Sequence, residues 1–151
     1  MELVHFSNKI ITKVRLRKKK EPSLNYKPHG FWVSDESEYG WSKWCKSEEF
    51  GLDRLQYPHS VELDISASVL HLGTIQAIDE FTDKYSKEMY PNSGIMGIDW
   101  DKVAKEYGGI IITPYQYQRR LNPKTHWYYG WDVASGCIWD TKIISKIELK
   151  K

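Results

Sequence analysis

The chain has 151 residues, 40% of them hydrophobic and 28% charged, with 22 Lys and Arg against 20 Asp and Glu. This length and balance give one domain, residues 1–151, with a real hydrophobic core, and exclude a disordered chain. A net charge of +2 does not mark a nucleic-acid binder by bulk electrostatics, and Cys45 and Cys137 alone do not make a disulfide framework.

Leu3 to Ser7 reads as a short first strand, in which His5 and Ser7 share one face. Residues 10–17 alternate Val14 and Leu16 with Arg15 and Arg17, which predicts a half-exposed strand or extended edge. Residues 18–28 are a basic and then Pro-containing loop, and residues 30–34 a strand opened by Pro28 and Gly30. Ser42 is placed to cap a helix running to about Phe50. Val61, Leu63 and Ile65 alternate with Glu62 and Asp64, a strand over 57–65, and another short strand covers 69–72. Thr74 caps a helix to about Tyr85, residues 86–98 form a loop, and Asp99 caps a helix to Tyr107 that Gly108 and Gly109 end. Residues 110–112, 127–131 and 136–139 read as strands, and 142–149 follows a less clean pattern. Strands and helices mix without regular β-α-β alternation, so the expected class is α+β with a largely antiparallel sheet. No apolar run approaches the roughly 18 residues of a membrane span. The N-terminus is broken by Glu2, Lys9 and Lys13 where a signal peptide would be apolar, and no Cys/His cluster has zinc spacing. The expectation is an intracellular, cytoplasmic and metal-free protein.

Chemistry is concentrated in two aromatic stretches. The first holds Phe31, Trp32, Trp41 and Trp44, and the second runs from Trp127 to Asp140. Aromatics this dense usually pack a core, yet indoles at a strand end and in the following loop also suit a pocket for a flat ring. His5 and Ser7 supply hydrogen-bonding groups for a ribose or an amide, against the simpler reading of a surface pair on an edge strand. Asp132 precedes Ala134, Ser135 and Gly136, small residues that permit close approach of a ligand or form a tight turn. Asp99 reads as a helix cap and Asp101 as a first-turn charge. Arg119 and Arg120, with His126, read as an exposed loop pair or as a phosphate contact, and neither cysteine has an adjacent base that would make it a nucleophile.

Taken in order, three segments resemble the ADP-ribosyltransferase superfamily, in the branch related to diphtheria toxin and the poly(ADP-ribose) polymerases. Val4-His5-Phe6-Ser7 is similar to the first-strand His-Gly-Ser/Thr motif, with Phe6 where that branch has Gly. Gly30-Phe31-Trp32-Val33-Ser34 and Trp41-Ser42-Lys43-Trp44-Cys45 are similar to its Gly-Ile-Tyr-Phe segment and the helix start after it. Gly136 to Asp140 resembles the late strand that bears the family's catalytic Glu. The resemblance implies a split, mostly antiparallel sheet with flanking short helices, and NAD as co-substrate with no metal. It implies cleavage of the nicotinamide–ribose bond with His5 on the adenosine-side ribose. Phe6, Ser7, Gly30, Trp32, Ser34, Trp44 and Ser135 would complete the NAD site, with Trp32 and Trp44 stacking on nicotinamide. No Glu lies in the matched strand. Ser135 falls near its position, and Asp132, three residues earlier, is the implied catalytic acid. The acceptor would be a macromolecule, protein or nucleic acid, and Arg15, Arg17, Lys18, Lys19 and Lys20 tilt the expectation toward an anionic one. A small stand-alone transferase also fits a toxin-like or phage-conflict role. The alternatives are a non-catalytic nucleotide or nucleic-acid binding module on the same fold, and an interaction protein whose aromatics only fill a core.

Overall fold

A computed structural model describes residues 1–17 and 26–151. The fold mixes α and β, and its centre is a seven-stranded sheet. In chain order the strands of this sheet are β1 (Leu3–Ser7), β2 (Phe31–Asp35), β3 (Tyr57–Leu63), β4 (Val69–Leu72), β7 (Gly109–Ile112), β8 (Ser135–Ile138) and β9 (Ile144–Leu149). A separate hairpin joins β5 (Ser86–Glu88) to β6 (Met96–Ile98). Across the main sheet the order is β4-β7-β8-β2-β1-β3-β9, and every neighbouring pair is antiparallel except β4 and β7.

Three α-helices are present among the described residues: α1 (Trp41–Glu48), α2 (Ile75–Tyr85) and α3 (Trp100–Glu106). Local chemistry explains two of them. Thr74 accepts a hydrogen bond from the Ala77 amide at 3.0 Å, and Asp99 accepts one from the Lys102 amide at 3.2 Å, so each satisfies an N-terminal donor as a cap. Ile78, Phe81, Thr82 and Tyr85 recur at helical spacing and form the buried face of α2. No helix among the described residues is long and apolar enough to cross a membrane.

The sheet is covered on both faces. On one, Ile110, Ile112 and Cys137 pack against Ile78, Phe81 and Tyr85 of α2, Val103 of α3, and Trp127, Tyr128 and Trp131. On the other, Leu3, Phe31, Val33, Val61, Ile111 and Ile138 form a second cluster, with Val14 and Leu16 packed on its edge. Residues 10–17 are therefore not the predicted strand. Their alternation reflects packing of Val14 and Leu16, while the Ile11 amide donates to His59 Nε2 at 2.9 Å. Residues 86–98 carry the β5–β6 hairpin where a plain loop is predicted.

Residues 127–131 are a second correction, because 127–130 lie in a 3-10 segment, Pro123–Gly130, rather than in a strand, and Trp131 follows it as its C-terminal cap. Asn122 opens it by accepting from the Lys124 amide at 2.9 Å, and Pro123 cannot donate to a ladder. Trp127, Tyr128 and Trp131 are buried while Tyr129 is exposed, a pattern that does not alternate. Ser42 is also not the cap of α1. Gly40 holds the N-cap position, and the hydroxyl of Ser34, on β2, accepts from the Trp41 amide at 2.7 Å.

Candidate functional site

The β1–β2 pairing runs over only two residue pairs, Leu3↔Asp35 and Val4↔Ser34. Asp35 pins that end of the pair. It is buried, and it accepts from the Glu2 amide, the Ser37 amide, the Ser37 hydroxyl and the Thr113 hydroxyl. Burial works against its charge, but these four hydrogen bonds outweigh it and hold the carboxyl below the usual range.

Beyond Val4 the ladder gives way to a side chain. His5 Nδ1 donates to the Trp32 carbonyl at 2.7 Å, and its ring stacks on Phe31 with centroids 4.1 Å apart. A carbonyl only accepts, so the proton is on Nδ1 and Nε2 keeps its lone pair. Burial lowers the pKa of His5. The Trp32 carbonyl acts in the opposite direction, and His59, its cross-strand partner, adds to the lowering. The depressed value sets a sign for stability. The unfolded chain takes up a proton on His5 as the pH falls through about 6.5, whereas the native state resists. Stability from this group is complete above that pH and is lost as the pH falls toward the lower native value. The urea midpoint is expected to drop between pH 7 and pH 5, and His5→Gln is expected to flatten that drop. An equally steep decline in the variant would remove His5 as the cause.

Where β1 and β2 part, a cavity of about 290 Å³ opens. It is lined by Val4, His5 and Phe6 from β1, Trp32, Val33 and Ser34 from β2, Trp41 from α1, and Arg54. Lys27, Trp131, Asp132, Val133 and Ser135 close it. Trp32 meets Trp131 edge-on at 4.9 Å, and Trp41 stacks on Trp44 at 4.9 Å with planes 11° apart. Behind these walls Ser34 donates to Glu36 at 2.6 Å, and Ser42 donates to the other oxygen of the same carboxylate. A Cβ on Gly40 would collide with Glu36 Oε2, so glycine leaves room for the carboxylate that braces the start of α1. Val4 and Phe6 also line a second cavity of about 500 Å³, with Ser42, Lys46 and Lys150 on its rim.

The charges are mixed. Asp132 Oδ1 lies 3.4 Å from Arg120, whose guanidinium sits 5.3 Å from the ring centre of Tyr129. Lys27 puts its ammonium 5.2 Å from the centre of the Trp32 ring. Loss of hydration there lowers its pKa, and Asp132 pulls the other way. Tyr115 donates to the Trp131 carbonyl at 2.6 Å, and burial raises its phenol pKa to about 12, so it stays protonated and holds the segment before Asp132.

The structure brings six of the sequence-selected residues to the cavity: His5, Phe6, Trp32, Ser34, Asp132 and Ser135. Three others lie elsewhere. Ser7 closes a turn by accepting from the Lys9 amide at 3.2 Å. Gly30 packs on β8, where a Cβ would come 2.6 Å from the Ile138 carbonyl oxygen, so its role is close approach of two backbones. Trp44 stands behind Trp41, one helical turn away, and Trp41 is the indole on the cavity wall. His5 and Ser7 do share one face of the first strand, but it is not the face of Trp32 and Ser34. The register sets Val4 beside Ser34, so Val4 and Phe6 face the side of Trp32 and Ser34, and His5 and Ser7 alternate to the other. His5 reaches the cavity only because the ladder ends beside it. Of the basic cluster, Arg15 and Arg17 are described, with the Arg17 carbonyl accepting from His29 at 2.7 Å, while Lys18, Lys19 and Lys20 lie outside the described residues. No group of three metal-ligating side chains occurs among the described residues.

Compared with protein-family models, curated proteins and solved structures, the chain matches none of them. The chemistry of the cavity has to be read from its own residues.

Sequence reasoning missed Lys27, Trp41, Arg54 and Trp131 as lining residues. Trp41 and Trp131 stood inside the two aromatic stretches, so density was their signal, and helical rotation decided which indole faced inward. Nothing local marked Lys27 or Arg54. The other late acids separate cleanly: Asp140 caps the 3-10 turn Thr141–Ile143, Glu148 pairs with Lys146 on β9, and Asp132 alone of the three lines the cavity.

Proposed function

We propose that the chain is an NAD-dependent ADP-ribosyltransferase acting from the cavity between β1 and β2. The observation that carries this reading is the meeting of His5, Trp32, Ser34, Asp132 and Ser135, from three distant segments, around one opening. Its volume, about 290 Å³, lies near the lower end of ligand pockets. That suits one half of a dinucleotide, with the other half at the opening. The neutral imidazole of His5 offers Nε2 as an acceptor for a ribose hydroxyl. Trp32 and Trp41 offer ring faces, and Ser34 and Ser135, whose hydroxyls already donate to Glu36 and to the Val133 carbonyl, offer a lone pair as acceptors.

In the reaction the bond between nicotinamide nitrogen and ribose C1′ breaks. Nicotinamide leaves with the bonding pair, and positive charge spreads over C1′ and the ring oxygen. Asp132 would stabilise that charge, and an acceptor would attack C1′ and release its proton. Orientation and preorganised charge would supply most of the acceleration. The acceptor is a macromolecule, protein or nucleic acid.

A second reading, a non-catalytic nucleotide-binding module, is favoured by the contact between Asp132 and Arg120, because a carboxylate already facing a guanidinium gives less to an oxocarbenium. The test is incubation with NAD, alone and with protein, RNA and DNA acceptors, with free nicotinamide measured by chromatography and NAD binding by calorimetry. Nicotinamide release supports the transferase. Binding without release supports the module, and neither binding nor release removes both.

A further inference from the structure

The cavity carries an arrangement of charge that a simple aromatic ring site does not need. Lys27 runs over Gly130, where an added Cβ would come 3.0 Å from Lys27 Cε, and places its ammonium 5.2 Å from the Trp32 ring centre. Among the described residues that ammonium makes no hydrogen bond. Arg54 lines the same cavity and has no ion pair among the described residues. The acid of the cavity, Asp132, is in contact with Arg120, and His5 is neutral. Lys27 and Arg54 therefore line the space with a single acid, Asp132, which Arg120 already faces, and Lys27 covers a π face of Trp32.

A cation over an indole is attracted to its quadrupole, so a ligand ring that is itself cationic competes with Lys27 for that face and is repelled by it. An anionic group reverses both effects. It draws the ammonium off Trp32 and accepts charge-assisted hydrogen bonds from it.

We infer that Lys27 selects ligands by charge, with Arg54 as its second cation, so that the cavity takes phosphate-bearing anionic nucleotides. A cationic ring reaches Trp32 only when the same ligand carries a phosphate onto which Lys27 moves. The choice of nucleotide probes rests on the proposed NAD site, whereas the charge argument does not.

The test is calorimetry on the full chain as wild type, Lys27→Met, Lys27→Arg and Arg54→Gln. The probes are ADP-ribose, cationic nicotinamide riboside and inorganic pyrophosphate. Lys27→Met keeps the apolar stem over Gly130 and is expected to weaken ADP-ribose by about tenfold or more. It should leave nicotinamide riboside unchanged or tighter, and Lys27→Arg should retain ADP-ribose binding. Arg54→Gln gives the same readout if Lys27→Met fails to fold. Equal weakening of both nucleoside ligands would make Lys27 a structural brace and overturn the inference, as would ADP-ribose affinity indifferent to Lys27. Lys27-dependent pyrophosphate binding with no binding of ADP-ribose or NAD would sustain charge selection while removing the transferase reading. Nicotinamide release that persists with no Lys27 dependence in any anion's binding would do the reverse.

Discussion

Asp132→Asn is expected to cut nicotinamide release by about 10²–10³-fold while NAD affinity stays within about threefold. The substitution preserves shape and removes the charge at the one late acid that lines the cavity. Asp132 is partly exposed and its described partner is Arg120, so the amide should leave the fold intact. Binding and turnover then separate. A transferase loses rate and keeps ligand, whereas a binding module shows no rate to lose. Unchanged release in the variant would take Asp132 out of the mechanism. Arg120→Gln is the companion experiment, because freeing Asp132 from its cation should raise rather than lower the rate if the acid works by negative charge.

Trp131→Ala is expected to destabilise the protein by about 3–5 kcal/mol in urea unfolding, enough to threaten the fold of a domain whose total stability is roughly 5–15 kcal/mol. Trp131 is only 1% exposed, and it touches Trp32 at 4.9 Å and Trp127 and Tyr128 at 6.2 Å. It joins the core beneath the sheet to the wall of the cavity. Its indole N–H is buried and has no hydrogen-bond partner among the described residues, so Trp131→Phe loses no such bond there. The Phe variant should cost roughly half as much or less, because it removes volume but no satisfied polar group. A Phe variant as unstable as the Ala variant would overturn this ranking.

How much of this was legible beforehand depended on whether a signal was local. Thr74 and Asp99 cap α2 and α3 as their positions predict, because a cap is a contact between a side chain and an amide three residues later. The strands at β1, β2, β3, β7 and β8 follow from alternation or from short apolar runs, again within a few residues. Residues 10–17 show the limit of the same rule. Their alternating burial is real, but they join no ladder among the described residues, and a period of two reports burial rather than hydrogen bonding.

The candidate site follows the same division. Residue types alone marked two dense aromatic stretches, a first-strand histidine and a late aspartate as candidates for one site. Only the tertiary structure decided that β1 and β2 part after Val4, that His5 fills the gap through the Trp32 carbonyl, and that Trp41 rather than Trp44 faces the cavity. It also decided that Lys27 and Arg54 belong there. The physical reason is distance along the chain. Caps and alternation are contacts among near neighbours, whereas strand divergence, the facing of one indole of two, and the meeting of Lys27 with Asp132 depend on register between segments that are dozens of residues apart.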